Sequence, residues 1–353
     1  MQTQELTAEK RALLLKRLFP RGIPPLWCPP LTHYTQDGRI DRVRIAAHLR
    51  RLSVHVKGFL IAGSTSDGWE LSEEEFRELI DVGLEQAQKL DLYLLIGVFK
   101  AEARAAHQVL LQLVELIQSL TGESDPQKAL IKARVCGFTV CAPRGKQVSQ
   151  EEMQRGLVQI LETGFPVAVY QLPQVTENEI GVELLHSLSQ RFSNFIYFKD
   201  SSGADRVVLS GKDLGGVFTM RGAEGDYLDW RKASGRGYDG FLLSSANSFA
   251  KQLDAILSQA VVSRADARKT SEQVSSIINE TFDLVRGIRD GNSFANANKT
   301  LDHFFAYGPE AEIIPGPRLH AGSKIPADII RKTAEVLRRH GCMPMRGYVN
   351  RNH

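Results

Sequence analysis

The feature that most restricts how this chain can fold is a rhythm. Strand-sized apolar runs, each followed by a helix-like stretch, recur with starts near residues 24, 58, 92, 138, 167, 195, 217 and 240. The runs are continuous rather than alternating: Gly58-Phe59-Leu60-Ile61-Ala62 and Phe195-Ile196-Tyr197-Phe198 carry no charge. That is the pattern of strands buried on both faces of a parallel sheet. Helix starts fall between the runs. Ser72 with Glu75, and Ser149 with Glu152, have the spacing of capping boxes. Eight βα units in succession close most economically into a (β/α)8 TIM barrel. An open doubly wound sheet is the alternative, but no G-x-G-x-x-G follows the first strand.

From about residue 248 the chain reads as all helix, over 249–260, 266–288, 292–307 and 326–340. The expected organisation is an N-terminal helical extension over 1–21 outside the main fold, a barrel over 22–262, and a C-terminal helical region over 263–353. The polar stretch 121–132 reads as a surface insertion.

Composition narrows the function classes. With 44 Lys and Arg against 41 Asp and Glu, the net charge is only +3, too balanced to point to nucleic acid or a membrane surface. Cys28, Cys136, Cys141 and Cys342 form no CxxC pair and no metal-ligand spacing, as suits thiols in a reducing cytosol. No apolar run approaches membrane-span length, and the first 21 residues lack the apolar core of a signal peptide. A cytoplasmic protein without a metal is expected.

Active sites of such barrels lie at the C-terminal ends of the strands. The sixth apolar run passes straight into Lys199, followed by the turn Asp200-Ser201-Ser202-Gly203. A lysine there either snorkels to the surface or is held partly desolvated, so that its neutral amine attacks a carbonyl. Lys100 also follows an apolar run and is expected to be exposed. The fifth run ends at Tyr170. The second ends in Gly63-Ser64-Thr65-Ser66-Asp67, where hydroxyls and backbone N–H groups can receive a carboxylate. Gly222 and Leu242, at the ends of the seventh and eighth runs, are candidate walls. Arg144, after the fourth, is either a solvated loop residue or a site for a second negative group.

Gly63-Ser64-Thr65-Ser66-Asp67, Tyr170-Gln171-Leu172-Pro173 and Phe198-Lys199-Asp200-Ser201-Ser202-Gly203 resemble three signatures of the dihydrodipicolinate synthase / N-acetylneuraminate lyase family. Those signatures are Gly-Thr-Thr-Gly-Glu, Tyr-Asn-x-Pro and Lys-Asp/Glu-x-Ser/Thr-Gly. The resemblance runs from about Pro24 to the C-terminus. It implies a (β/α)8 barrel, commonly a homodimer or homotetramer, with class I aldolase chemistry. Lys199 would form a Schiff base with a 2-oxo acid, Tyr170 would move protons, and Ser64 and Thr65 would hold the substrate carboxylate. The imine is itself the electron sink, so no cofactor is implied.

The departures are specific. The aromatic pair common after the fourth strand is replaced by Pro143-Arg144-Gly145-Lys146, and Val175 stands where dihydrodipicolinate synthases place a carboxylate-gripping arginine. The reading is therefore a Schiff-base lyase, an aldolase or dehydratase, acting on pyruvate or a 2-keto-3-deoxy sugar acid, rather than dihydrodipicolinate synthase itself. The alternative is a catalytically silent relative that binds a metabolite or partner.

Overall fold

A computed structural model describes residues 2–235, 237–258 and 263–349. The expected helix end at 260, the boundary at 262 and the terminal residues 1 and 350–353 lie outside the described residues. The chain begins with α1 (Gln2–Leu18), β1 (Leu26–Cys28), α2 (Arg42–Leu52), β2 (Gly58–Ile61), α3 (Glu73–Leu90) and β3 (Tyr93–Gly97). It continues with α4 (Ala103–Thr121), α5 (Pro126–Lys132), β4 (Val135–Cys141), α6 (Gln150–Leu161), β5 (Val167–Gln171), α7 (Pro173–Thr176), α8 (Val182–Arg191) and β6 (Phe195–Asp200). Then follow α9 (Arg206–Leu209), β7 (Phe218–Arg221), β8 (Gly240–Leu242), α10 (Ala246–Ser258), α11 (Arg264–Val285), α12 (Ser293–Tyr307) and α13 (Ala327–Arg339). The strands close into a barrel in the order β1 to β8, as the eightfold rhythm predicts. Ser72 and Ser149 both cap their helices in complete capping boxes. The stretch 121–132 is not wholly irregular: Asp125 caps α5, with Pro126 at its first position.

The chain divides into two compact units. The first comprises Met1–Pro25, Tyr93–Ala223 and Asp229–Leu242; the second comprises Leu26–Leu92, Glu224–Leu228 and Leu243–His353.

In the first unit, parallel register sets side chains in rows. Cys141 lies opposite Tyr170, Tyr170 opposite Lys199, and Lys199 opposite Met220. Two residues earlier, Thr139, Ala168, Tyr197 and Phe218 form a second row. Strand side chains alternate with period two, so each row shares a face. Tyr197 makes edge contacts with Phe218 and with Phe19, which follows α1.

The sequence reading set α1 outside the main fold, but its Arg11 is fully buried. The guanidinium donates to the carbonyls of Phe195 (2.7 Å) and Phe192 (2.8 Å), and also to those of Ser189 and Gly215. Ser189 and Phe192 belong to the end of α8, where carbonyls lack intrahelical partners. Burial lowers the Arg11 pKa to about 10, and Asp213 opposes the shift.

In the second unit, β1 pairs with β2. Gly58 is required there, because a Cβ would lie 2.2 Å from the Trp27 ring. The same unit holds α10 to α13. Among the described residues, no helix is long and apolar enough to cross a membrane.

Candidate active site

Within the first unit, β6 delivers Lys199 and β5 delivers Tyr170, as register partners at the C-terminal ends of adjacent strands. Both are buried, at 5% and 3% exposure. The Lys199 ammonium lies 4.0 Å from the centroid of the Tyr170 ring, a cation–π distance. Cys141 completes the row. Burial pushes its thiol pKa up, and Lys199 opposes this.

Gly222 follows β7, and its N–H donates to the Asp200 carbonyl at 2.7 Å. A Cβ there would sit 2.1 Å from Ser201 Oγ and 2.7 Å from Lys199 Cε. The absent side chain is thus the space that the lysine stem and the Ser201 hydroxyl occupy. Leu242 ends β8 fully buried and offers only apolar surface. Arg144 is exposed on the loop after β4, with its N–H donating to the Ala101 carbonyl. Its neighbour Lys146 is 75% exposed and 3.9 Å from Glu177. Lys100 is exposed, as expected.

A network around Asp200 went unread in the sequence. Asp200 is fully buried, and burial raises its pKa. One carboxylate oxygen accepts from the Ser202 N–H at 2.8 Å. Tyr238 has a single hydroxyl hydrogen, and Asp205 Oδ1 at 2.8 Å is the nearer acceptor. The Tyr238 hydroxyl also lies 3.3 Å from Asp200 Oδ2. Arg221 grips Asp205 with Nε and Nη2, at 3.1 and 3.2 Å, and lies 4.6 Å from the Trp230 ring centroid. This bidentate pair lies beyond the turn after Lys199, while Ser201 is held by its N–H on the Gln171 carbonyl at 3.0 Å and by Gln174 Nε2 on its own carbonyl at 2.9 Å. The only signal in the sequence was charge at strand ends.

Within the second unit, Ser64–Ser66 forms a single 3-10 turn closed by Asp67, whose φ is +58°. All four residues are buried. Ser64 Oγ accepts from Trp69 Nε1 at 3.0 Å, and the Ser64 carbonyl accepts from Asn292 Nδ2 at 2.9 Å. Ser66 Oγ donates to the Pro30 carbonyl, and the Ser66 carbonyl accepts from Thr32 at 2.7 Å. Asp67 Oδ2 accepts from Tyr34 at 2.9 Å and from Lys299 at 2.6 Å. Among the described residues, the Thr65 hydroxyl has no hydrogen-bond partner. The Ser64 hydroxyl accepts from Trp69 without donating onward among the described residues, so the turn offers two hydroxyl donors.

The second unit also buries His33, His48 and Asp302, whose ligand-capable atoms lie within 4.8 Å of one another. Most of their polar atoms are engaged, while Asp302 Oδ1, 3.3 Å from His48 Nε2, has no hydrogen-bond partner among the described residues. His33 Nε2 and His48 Nδ1 are 3.0 Å apart, and His48 Nε2 meets the Asn247 carbonyl at 3.0 Å. Asp302 Oδ2 accepts from Tyr348 at 2.9 Å and from Arg44 at 3.2 Å. Burial lowers both histidine pKa values, and Arg44 and Lys299 push His33 further down. A cavity of about 1130 Å³ in this unit, lined by residues such as Arg42, Arg50 and Lys251, contains none of the singled-out residues.

No family model matches the chain. A curated 4-hydroxy-tetrahydrodipicolinate synthase of Bartonella bacilliformis is 23% identical over 175 residues, 49% of this chain and 53% of that protein. The chain thus spans about half the length of the curated relative it matches. Among solved structures it is similar to YagE, a prophage protein of the dihydrodipicolinic acid synthase family from E. coli K12, solved in complex with pyruvate. That match has a TM-score of 0.68 at 18% identity and covers 91% of this chain and 100% of that one. It is also similar to a variant of the Sulfolobus solfataricus 2-keto-3-deoxygluconate aldolase (TM-score 0.67, 16% identity, 90% and 96% covered). A third match is a dihydrodipicolinate synthase from Thermotoga maritima (TM-score 0.68, 15% identity, 90% and 99% covered). The similarity in sequence covers just under half of the chain, and the similarity in fold, at identities below 20%, covers about nine tenths of it.

Proposed function

We propose that the protein is a Schiff-base lyase, an aldolase or dehydratase acting on a 2-oxo acid such as pyruvate or a 2-keto-3-deoxy sugar acid. The observation that carries this reading is the pairing of Tyr170 and Lys199 on adjacent strand ends, both buried, with the ammonium 4.0 Å from the phenol ring centroid. In this reading Lys199 attacks the 2-oxo carbon. Tyr170 passes the protons that turn the carbinolamine into an iminium and water, which is general acid–base work. The iminium then accepts the electron pair released when a bond to the adjacent carbon breaks. Ser64 and Thr65 are the proposed carboxylate-reading groups, Gly222 and Leu242 the proposed walls, and Arg144 a proposed contact for a second anionic group. The chemistry calls for no metal and no organic cofactor. A cytoplasmic homodimer or homotetramer belongs to the same proposal, supported by composition and by the family likeness.

A second reading, a barrel that binds a metabolite without turnover, is favoured by the loop after β4. It carries the exposed Arg144 and no phenol. One experiment tests the main reading. The protein is incubated with pyruvate, treated with borohydride and digested, and the expected result is a reduced adduct on Lys199. An adduct on Lys100, or none, refutes the mechanism. Trapping without turnover on any 2-oxo acid of a broad panel favours the binding protein.

A further inference from the structure

The turn proposed to read the carboxylate is held in part by α12, which lies more than two hundred residues downstream. Asn292, the N-cap of α12, donates to the Ser64 carbonyl at 2.9 Å. Two turns on, Lys299 Nζ lies 2.6 Å from Asp67 Oδ2, and both side chains are 1% exposed. Three residues further, Asp302 accepts from Arg44 of α2 at 3.2 Å. The helix is thus pinned to α2 as well as to the turn. Tyr34 braces the pair, donating to Asp67 at 2.9 Å with its ring centroid 4.8 Å from the ammonium.

A buried ion pair is a poor device for stability alone, because desolvating two charges offsets most of their attraction. It does fix geometry. Asp67 is the left-handed residue that ends the turn, a conformation open to few residue types other than Gly, Asn and Asp. Lys299 therefore anchors the residue on which the shape of the turn depends. Within that frame the Ser64 and Thr65 hydroxyls sit side by side on the turn, with Ser64 Oγ accepting from Trp69.

We propose that Lys299 is a positioning residue for the reaction: through Asp67 it holds the Gly63–Asp67 turn in the shape that presents Ser64 and Thr65 to the substrate carboxylate. This inference rests on the Schiff-base reading above. It extends that reading to a helix of the C-terminal region, on a residue that touches no reacting atom.

Trp69 provides a test that needs no substrate, since its indole N–H donates to Ser64 Oγ. Its NMR signal and exchange rate report on the turn directly. Two variants are compared with the wild type. Lys299→Met leaves Asp67 buried without its cation and risks misfolding. The double variant Lys299→Met with Asp67→Asn removes both charges and keeps a residue tolerant of the left-handed conformation. The double variant is expected to fold with wild-type helix content and to show a shifted, faster-exchanging Trp69 indole. Its half-saturating pyruvate concentration for borohydride trapping at Lys199 should rise about tenfold or more, as for a lost hydrogen bond to a charged group, with the trapping rate at saturation unchanged. An unchanged Trp69 signal overturns the inference, as does unchanged half-saturation. A wild-type protein that gives no adduct on Lys199 sinks the Schiff-base reading and with it the catalytic half of this inference. The Trp69 signal then still decides whether Lys299 shapes the turn.

Discussion

Lys199 of the first unit and Lys299 of the second are both nearly fully buried, at 5% and 2% exposure. Each ammonium stands near a tyrosine ring, 4.0 Å from that of Tyr170 and 4.8 Å from that of Tyr34. The difference lies in the next neighbour. Lys299 meets the Asp67 carboxylate at 2.6 Å. Beside Lys199 the chain places Gly222, whose missing Cβ leaves room for the lysine stem and the Ser201 hydroxyl. Burial and an aromatic face are therefore common to a lysine that holds structure and one suited to chemistry. The Asp67 carboxylate stands at the ammonium of the first, and the missing Gly222 Cβ makes room for the stem of the second.

The sharpest way to break this comparison is to remove each lysine in turn. Lys199→Ala should abolish the borohydride-trapped pyruvate adduct altogether. A protein lacking Lys299 should still form it at higher pyruvate. Intact-mass spectrometry reads both, and an adduct surviving Lys199→Ala would mean the two roles are misassigned. Next in size is Tyr170→Phe, which keeps the ring against Lys199 and removes only the hydroxyl. Loss of a positioned acid–base group slows turnover by about 10²–10⁴. A kcat unchanged on a turned-over 2-oxo acid would reduce Tyr170 to packing, the part Tyr34 plays.

Thr65→Val should act more gently. Removing the unengaged hydroxyl costs roughly 1.5–3 kcal/mol if it binds a carboxylate, so pyruvate affinity should fall about tenfold or more. Equal affinity for pyruvate and its methyl ester in the wild-type protein would show that the turn reads no charge.

The last effect is on stability rather than on substrate, and its source lies in the second unit. His33 and His48 have depressed folded-state pKa values, so the unfolded chain takes up protons first. Stability should be flat above the unfolded value of about 6.5 and fall below it, by up to about 1.4 kcal/mol per pH unit for each histidine. Urea midpoints measured from pH 8 to pH 5 test this, and a midpoint that does not fall below pH 6.5 removes the histidine pair as a source of acid sensitivity.

Much of the barrel was legible because its signals are local. An apolar run of four to six residues becomes a strand buried on both faces, and Ser72 and Ser149 start helices through partners three residues away. Lys199 and Tyr170 stood out for the same reason, as polar residues at the ends of apolar runs. Lys299 did not. It lies in a helix, where a lysine is ordinarily read as solvent-facing, and its partner Asp67 is 232 positions away. Arg11 was hidden likewise: its acceptors are backbone carbonyls such as that of Phe195, 184 positions away, which no side-chain pattern reveals.

By itself the sequence determined the βα order, the helix starts, and the strand ends at which a lysine and a phenol would stand. Strand and cap preferences act between residues a few positions apart, and so are written into the local order of the chain. Only the tertiary structure decided that Lys299 meets the Asp67 carboxylate, why residue 222 can have no side chain beside Lys199, and that the first helix is anchored through Arg11. Those outcomes depend on distances of 2–5 Å between groups far apart along the chain, and such distances exist only once the packing is made.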